Sequence, residues 1–480
     1  MKRHRLFAAA LMAAALAGCM TVGPDYKRPQ SDMPEQWPGA TTAEPVSATW
    51  WKTYNDPVLD TLVDEALLQN LDLRQAIARV AEARAGLGIA RADQYPGVTA
   101  NASAARNRAS QNNVIGIPPG IDPEFSSYRA TLNAAYEIDF WGKYRRATEA
   151  ARAELLGSQF NRDAVRLTLV TDVARSYFSL RALDAQVEVT KRTISSRLAS
   201  TALTRKRFEA GVASEFDLRQ SEAESAQAQA LLPTIESQLA LQETALAVLT
   251  GRSPRDIVTK PVDRGTAIDA LIAPPPVPSG LPSDVLERRP DIRAAEQSLV
   301  AANARIGQAK AAYYPSISLT GLFGVESNSL GELFSGPSRV WQFSASAAQT
   351  VFDAGRTESQ VAVAQAREQQ VLTQYQSSIQ RAFKDALDAL VVQRKARESL
   401  DAETARRDAL KSTLDLAQLR YDNGISSLLE VLIAERALLD AELNRVEAQR
   451  AQLSATADLF KALGGGWQPE AAPEKAAKAN

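Results

Sequence analysis

The sequence predicts a mainly α-helical protein with a small transmembrane β part, built from two copies of one structural repeat. Three observations lead to this fold class. The chain resembles itself over most of its length, short segments alternate between apolar and polar residues, and two stretches favour helices far longer than those of ordinary globular domains.

The internal duplication sets the organisation of the chain. Matching segments lie 219 residues apart near the start of each copy and 213 residues apart further on. The pairs are Asn70–Arg74 with Arg289–Arg293 and Tyr95-Pro96 with Tyr314-Pro315 at the first spacing, then Gly142-Lys143 with Gly355-Arg356 and Arg207–Leu218 with Arg420–Val431 at the second. A duplication of this size predicts two similar units, each a helix, two strands and two further helices.

Each copy should open with a helix that leads into two strands. We predict the opening helices over Pro57–Asp93 and Ser283–Tyr313, each ended by a Tyr-Pro pair, because proline disfavours helix in the residue before it. Beyond each pair, apolar side chains fall at every second position, the period of a strand with one apolar face. The apolar positions are Val98, Ala100 and Ala102, the even-numbered residues from Tyr128 to Phe140, and Ile317, Leu319, Trp341, Phe343 and Ala345.

Four such strands per chain constrain the assembly. Strands of about ten residues with one apolar face suit a membrane barrel, although a soluble sandwich would show the same alternation. Four strands cannot close into a barrel, and lipid offers no partner for the backbone groups of an open sheet edge. If the strands span a membrane, several chains must form one barrel, with the polar loops Asn107–Ser127 and Glu326–Arg339 outside.

After the strands, each copy continues into an unusually long helix, over Tyr144–Ala210 and Arg356–Asn423. At 1.5 Å per residue, such a helix is about 100 Å long. Each should end at a turn glycine, Gly211 or Gly424, from which a helix of about 37 residues returns. Because a return helix and an opening helix together match a long helix, the two should stack end to end beside it. Coiled-coil packing is indicated by a seven-residue apolar spacing at Val173, Leu180, Val187 and Ile194.

The N-terminus has the features of a lipoprotein signal peptide. A basic stretch precedes the apolar run Leu6–Gly18, which ends in Leu16-Ala17-Gly18 before Cys19, the only cysteine. This arrangement is typical of a bacterial lipobox, so we expect Cys19 to become the lipid-carrying first residue. An ordinary signal peptide with an incidental cysteine is the alternative. Because Met20 follows in place of an aspartate, the outer-membrane lipid is the expected anchor site.

The composition argues against several classes of function. The only histidine, His4, lies within the predicted signal peptide, which excludes Ser-His-Asp catalysis and His-ligated zinc in the mature chain. The sequence contains no Gly-rich phosphate loop of the P-loop kind. With a net charge of −1, there is no electrostatic reason to expect nucleic-acid binding. We therefore expect no enzyme, no cofactor and no metal site.

Three segments resemble a known family: VGPDYKRP (Val22–Pro29), Trp50–Leu67 and LERRPDIRAAE (Leu286–Glu296). They are similar to lipoproteins of the TolC superfamily, and more narrowly to outer-membrane factors that serve resistance–nodulation–division efflux pumps. The resemblance runs from Cys19 to about Gly466. It implies a homotrimeric duct, in which four strands per chain form a 12-stranded barrel continued by a coiled-coil helical tunnel into the periplasm.

The resemblance also implies partners and a function. A periplasmic adaptor protein and an inner-membrane efflux transporter would deliver small molecules to this passive exit duct. The alternative within the same fold is a duct for a protein (type I) secretion system. A lipoprotein enzyme or an adhesive coiled coil would explain fewer of the observed features. The expected segments are a signal peptide (1–18), an anchor segment (19–56), the first repeat (57–251), a Pro-rich linker in the equatorial region (252–282), the second repeat (283–466) and a disordered tail (467–480).

The two glycine turns are the best candidates for a functional site, because one residue pattern recurs at both. It consists of Arg207, Phe208, Gly211, Ser214 and Asp217 in the first copy, and of Arg420, Tyr421, Gly424, Ser427 and Glu430 in the second. A structural explanation is strong. The Ser427–Glu430 spacing predicts a capping box, the Ser214–Asp217 spacing approximates one, and glycine supplies the left-handed turn.

A functional explanation of the same pattern follows from the resemblance. It implies that the turns form the periplasmic mouth of the tunnel, with Asp217, Glu430 and Tyr421 as gate candidates. The other residues of the pattern would then contact the adaptor at the hairpin tips. Ser426 and Ile433 stand where some members carry a gate-locking arginine and a second acid, so part of that lock is missing here.

Overall fold

The computed structural model describes residues 21–30, 47–110, 122–274 and 288–465. The signal peptide, Cys19, the tail from 467 and parts of the first polar loop and of the linker lie outside these described residues. The helices are α1 (Pro57–Gln69), α2 (Leu71–Ala92), α3 (Lys143–Glu209), α4 (Glu215–Leu249), α5 (Pro254–Thr259), α6 (Pro290–Lys310), α7 (Arg356–Asp422) and α8 (Leu428–Ala462). The strands are β1 (Gly97–Arg108), β2 (Glu124–Ile138), β3 (Ser316–Ser327) and β4 (Arg339–Ala348).

The described residues fall into two compact units. Unit 1 takes them from the ranges 1–30, 80–158 and 295–375, and unit 2 from 31–79, 159–294 and 376–480. The predicted order of helix, two strands and two helices is confirmed in both copies, and each long helix has 67 residues. Strand β2 begins four residues before the first predicted position and ends before Phe140, so the first polar loop is shorter than expected.

The four strands of unit 1 form one antiparallel sheet in the order β1-β2-β3-β4. Ala100 lies opposite Leu132, Leu132 opposite Phe323, and Phe323 opposite Trp341, so the apolar positions of all four strands share one face. Every residue of β1 and almost every residue of β4 is exposed in the isolated chain. Within the part of the chain that the structure describes, the two outer strands each carry one unpaired edge.

Among the residues that the structure describes, no helix combines the length and the apolar character needed to cross a lipid bilayer.

The first opening helix is broken, which corrects the prediction of one continuous helix over Pro57–Asp93. Helix α1 ends at Asn70, whose backbone leaves the helical region with φ −57° and ψ 131°. The side-chain amide of Asn70 accepts a hydrogen bond from the N–H of Leu73 (3.0 Å) and donates one to the carbonyl of Leu249 (2.9 Å). Asparagine is favourable here because it caps the start of α2 and also satisfies a free carbonyl at the end of α4.

These bonds place α4 and α2 end to end, as predicted from their lengths. Gly251, just after α4, has φ +78°, and an added Cβ would lie 2.5 Å from the backbone of Gln69. The second copy forms the same kind of junction, because the Arg289 guanidinium donates to the carbonyl of Ala462 at the end of α8 (3.3 Å). Helix α6 begins at Pro290 in the described residues, whereas residues 283–287 of its predicted range lie outside them.

The core of unit 2 is organised by the segment that begins at Trp50. The Trp50 ring stacks on Phe460 with 5.0 Å between ring centroids, and the Tyr54 hydroxyl donates to the carbonyl of Leu453 (3.0 Å). The buried Asp56 caps α1 and accepts a hydrogen bond of 2.6 Å from the Tyr177 hydroxyl. Burial is the main cause of a raised Tyr177 pKa, and the bond to Asp56 adds to it.

In unit 1 the segment Thr21–Gln30 is tied down along its length. Gly23, with φ +101°, packs directly on Gly307 of α6, so neither position has room for a side chain. Arg146 of α3 pairs with Asp25 at 2.7 Å, and Arg28 pairs with Glu296 of α6 at 2.7 Å. Two of the three segments that carry the family resemblance therefore bind one another.

The helix junction yields a prediction from two glycines with similar backbone angles. We expect Gly251→Ala to destabilise the protein strongly, because the new methyl would meet the backbone of Gln69 in addition to the left-handed strain. Gly211→Ala is the matched control, since its φ is +76° and nothing lies within 4 Å of an added Cβ. It should cost only the conformational term, about 1–2 kcal/mol. Thermal unfolding followed by circular dichroism measures both, and equal losses would contradict the steric account.

Candidate functional site

Both long helices end in the same hydrogen-bonded turn. In the first hairpin the N–H of Val212 donates to the carbonyl of Arg207 at 2.9 Å, and in the second Ile425 donates to Arg420 at 2.8 Å. This bond across six residues, with a left-handed glycine inside it, is the Schellman ending of a helix. The two glycines have φ of +76° and +71° with open space around them, so backbone conformation alone selects glycine.

The helices that return from the two turns are capped differently. At α4 the Ser214 hydroxyl accepts a hydrogen bond from the N–H of Asp217, whose carboxylate accepts one from the N–H of Ser214, which completes a capping box. At α8 the Ser427 side chain makes no capping bond, so the predicted second capping box is wrong. The Glu430 carboxylate instead lies 3.9 Å from the guanidinium of Arg420 on the preceding helix.

The two hairpin tips contact each other through residues of the repeated pattern. The Arg207 guanidinium donates a 2.9 Å hydrogen bond to the Tyr421 hydroxyl and lies 5.3 Å from the centre of its ring. Tyr421 is the counterpart of Phe208, and only tyrosine has the hydroxyl that accepts this bond. A cation–π contact and a charge-assisted hydrogen bond therefore join the end of α3 to the end of α7.

A buried charged cluster lies further along the same hairpins. Arg197 of α3 is almost fully buried and contacts Glu224 of α4 at 3.3 Å and Glu435 of α8 at 3.9 Å. Burial, with Glu224 as a further cause and Arg197 opposing it, raises the pKa of Glu435. The Nε and Nη2 atoms of Arg197 have no hydrogen-bond partner among the described residues. Breaking such a pair is costly, so the cluster fixes α8 against the first hairpin.

The exposed face of the tips is apolar at equivalent places in both copies, which the sequence interpretation missed. Val212 and Ile425 follow the turn glycines and are 75% and 68% exposed, and Phe216 and Leu429 lie four residues further on, also exposed. An exposed apolar patch that recurs in a repeat is typical of a docking surface. Aligning the two copies beyond the charged residues would have revealed it.

The tips offer carboxylates, guanidinium groups and apolar side chains, which are groups for binding. Among the described residues, His, Cys, Asp and Glu form no group of three or more that could hold a metal ion. The structure brings Arg207 and Tyr421 together and places Asp217 in a cap. Glu430 remains exposed beside Arg420, while Cys19 lies outside the described residues.

The doubled helix–strand plan, the four-stranded sheet and the paired hairpins define a class of channel-forming outer-membrane proteins. A sequence model of the family described as "Outer membrane efflux protein" matches residues 62–252 and 281–465. These two matches cover most of both repeats. The chain belongs to the outer membrane efflux protein family.

Individual relatives agree with this assignment over nearly the whole chain. The chain is 36% identical over 465 residues to the solvent efflux pump outer membrane protein SrpC of Pseudomonas putida, covering 94% of this chain and 96% of SrpC. It is 33% identical to the probable outer membrane lipoprotein SilC of Salmonella typhimurium, covering 94% and 96%. Among solved structures, the CmeC outer membrane channel of Campylobacter jejuni superposes with a TM-score of 0.88 at 26% identity, covering 94% and 96%.

The unequal caps predict unequal effects of one substitution. Ser214→Ala removes a complete capping box and should destabilise the first turn of α4 by about 1 kcal/mol. Ser427→Ala is the matched control and should change little, because its hydroxyl makes no capping bond. Hydrogen exchange of the tip peptides measures both, with faster exchange expected only near residue 214. Equal acceleration at the two tips would show that the caps are alike in solution.

Proposed function

We propose that the chain is the outer-membrane exit duct of a three-component efflux system, through which small molecules pass passively to the exterior. The observation that carries this proposal is that both repeats match outer membrane efflux proteins while the tips present binding groups. A periplasmic adaptor and an inner-membrane transporter would supply the energy and select the substrate. The chain itself would provide the path and perform no enzymatic reaction.

A homotrimer is part of the proposal. One chain contributes a four-stranded sheet with unpaired edges on β1 and β4, and a barrel in lipid requires that every edge be paired. Three copies supply twelve strands, which suffice for a closed barrel with an open interior. The full exposure of β1 in the isolated chain supports the same interpretation, because neighbouring copies and lipid would cover it.

Small molecules are the proposed cargo. SrpC is named a solvent efflux pump protein, and it shares more than a third of its aligned residues with this chain. Export of proteins by a type I secretion system remains the alternative for this fold. The lipoprotein features at the N-terminus and the LERRPDIRAAE segment favour efflux.

Cys19 is the proposed lipid site. The motivation is its position directly after Leu16-Ala17-Gly18 at the end of the apolar run, and the relative SilC is named a probable outer membrane lipoprotein. Two or three acyl chains would hold the mature N-terminus at the membrane far more firmly than one. Mass spectrometry of the purified protein should show an N-terminal Cys19 that carries acyl chains. An unmodified cysteine would refute the anchor and leave the duct proposal standing.

The hairpin tips are the proposed periplasmic mouth and adaptor-docking surface. The adaptor would contact the exposed apolar side chains beside the turn glycines. It would also contact Arg207, Phe208 and Ser214 of the first repeat and Arg420 and Ser427 of the second. Asp217, Glu430 and Tyr421 are the proposed gate residues. In a homotrimer, each of the three chains would place two acids at the mouth, so that about six carboxylates attract cations and repel anions.

The double variant Asp217→Asn with Glu430→Gln tests the duct and its mouth together. In planar-bilayer recordings the wild-type protein should form cation-selective channels, and the double variant should shift the reversal potential in a KCl gradient toward zero. Ser214→Ala is the matched control, because it removes the cap of α4 but keeps both charges. If the variant and the control behave alike, the acids serve as caps only. Absence of any conductance from the folded wild-type protein would contradict the duct itself.

A further inference from the structure

The pairing of β2 with β3 is the seam where the two repeats meet within one chain, and we call it the central seam. Its register places Ile138 opposite Ile317 and Asn133 opposite Leu322. On one face of the sheet apolar side chains oppose each other across it, as Leu132 and Phe323 do, and on the other face Arg129 forms a 2.7 Å ion pair with Glu326. The seam therefore joins the second strand of one repeat to the first strand of the next.

Because the two repeats are equivalent, the register of one strand pair predicts the register of the corresponding pair. Within one chain, the first strands of the two repeats (β1 and β3) lie 219 residues apart and the second strands (β2 and β4) lie 213 apart, as the matching sequence segments do. Thr99 lies opposite Asn133 in the β1–β2 pair, and their counterparts at these spacings are Ser318 and Ser346. The structure has Ser318 opposite Ser346, so the register of the second hairpin follows from that of the first.

We infer that β4 of one copy pairs with β1 of a second copy in the register that the central seam defines. This inference rests on the proposed trimer and names the residues that form its seams. In the central seam Asn133 lies opposite Leu322. The counterpart of Asn133, 213 residues later, is Ser346, and the counterpart of Leu322, 219 residues earlier, is Ser103, so Ser346 of one copy should lie opposite Ser103 of the next. Moving Ile138–Ile317 in the same way pairs Val98 with Val351, which lies beyond the end of β4 at Ala348.

The side chains agree with this register. Directly opposed residues of antiparallel strands lie on the same face, and the shifted pairs set Ala345 opposite Ala104 and Ala347 opposite Ala102. A slip by one residue would turn the apolar face of β4 against the polar face of β1. Extension of β4 beyond Ala348 in this pairing would also cover Val351, which is 94% exposed in the isolated chain.

The aromatic contact at the end of the central seam is not repeated between copies. At the central seam, Trp141 after β2 stacks on Tyr314 before β3, with 4.6 Å between ring centroids. The counterpart of Tyr314 is Tyr95, which is 71% exposed. The counterpart of Trp141 is Ala354, so the shifted register sets an alanine opposite Tyr95 and places the exposed Phe352 opposite Gly97.

Disulfide trapping tests the register. Ser103→Cys combined with Ser346→Cys places two thiols opposite each other, within the Cα separation that a disulfide requires. Asn101→Cys combined with Ser346→Cys is the matched control, because a partner two residues away lies about 7–8 Å distant. Each variant, and each single variant to exclude cross-links through Cys19, is purified in detergent and oxidised with copper–phenanthroline. Non-reducing gels reveal covalent dimers and trimers, and analytical ultracentrifugation gives the assembly size before oxidation.

We expect a trimer in every case and efficient cross-linking only for the 103/346 pair. A trimer that cross-links through the 101/346 pair, or through neither pair, overturns the register and leaves the proposed duct intact. A stable monomer in the same detergent overturns the trimer and the duct proposal with it.

Discussion

A sheet of four strands leaves the backbone N–H and C=O groups along β1 and β4 without partners, and a lipid environment supplies none. The proposed assembly follows from this constraint, because copies of the chain can satisfy these edges only by pairing with each other. The same constraint shapes each strand. A strand between lipid and a water-filled interior needs one apolar and one polar face, so alternation must continue through all four strands in register.

Backbone satisfaction also explains the irregular points of the helices. A return helix of 35 residues can cover only part of the length of a 67-residue helix. A second short helix must continue the line, and where two helices meet their free carbonyls and N–H groups face each other. Asn70 satisfies one group on each side of the first junction, while Arg289 donates to the end of α8 at the second. Two different side chains thus meet the same backbone requirement.

The sequence predicts the large elements well because their signals are long and occur twice. Both 67-residue helices, both turn glycines and all four strands follow from periodicity and repeat alignment. The break at Asn70 could not be predicted, because asparagine within a helical pattern is only mildly unfavourable and its benefit comes from the distant Leu249. The core roles of Trp50 and Asp56 depend in the same way on residues far along the chain, namely Phe460 and Tyr177.

At the tips, residue types were predictive of the turn but not of every contact. The Schellman endings follow from glycine, since few other residues adopt a positive φ. The serine–acid spacing was an equal signal in both copies, yet only Ser214 caps its helix. Glu430 lies near Arg420 and does not take part in a capping box. The sequence does not indicate which of these two interactions is more favourable. The Arg207–Tyr421 bond joins different repeats, so an alignment of the repeats could not reveal it.

Duplication creates a problem of specificity, because repeated strands can pair in more than one order, and one charged pair distinguishes the two seams. If the proposed register holds, the central seam and the seam between copies share one geometry, so β2 could pair wrongly with β1 of another chain. The central seam carries the Arg129–Glu326 ion pair, whereas the corresponding positions between copies hold Gln342 and Asn107. Wrong pairing would set Arg129 against Asn107 and leave Glu326 without its cation. The ion pair therefore favours the correct order of the repeated strands by the modest free energy that a half-exposed salt bridge contributes.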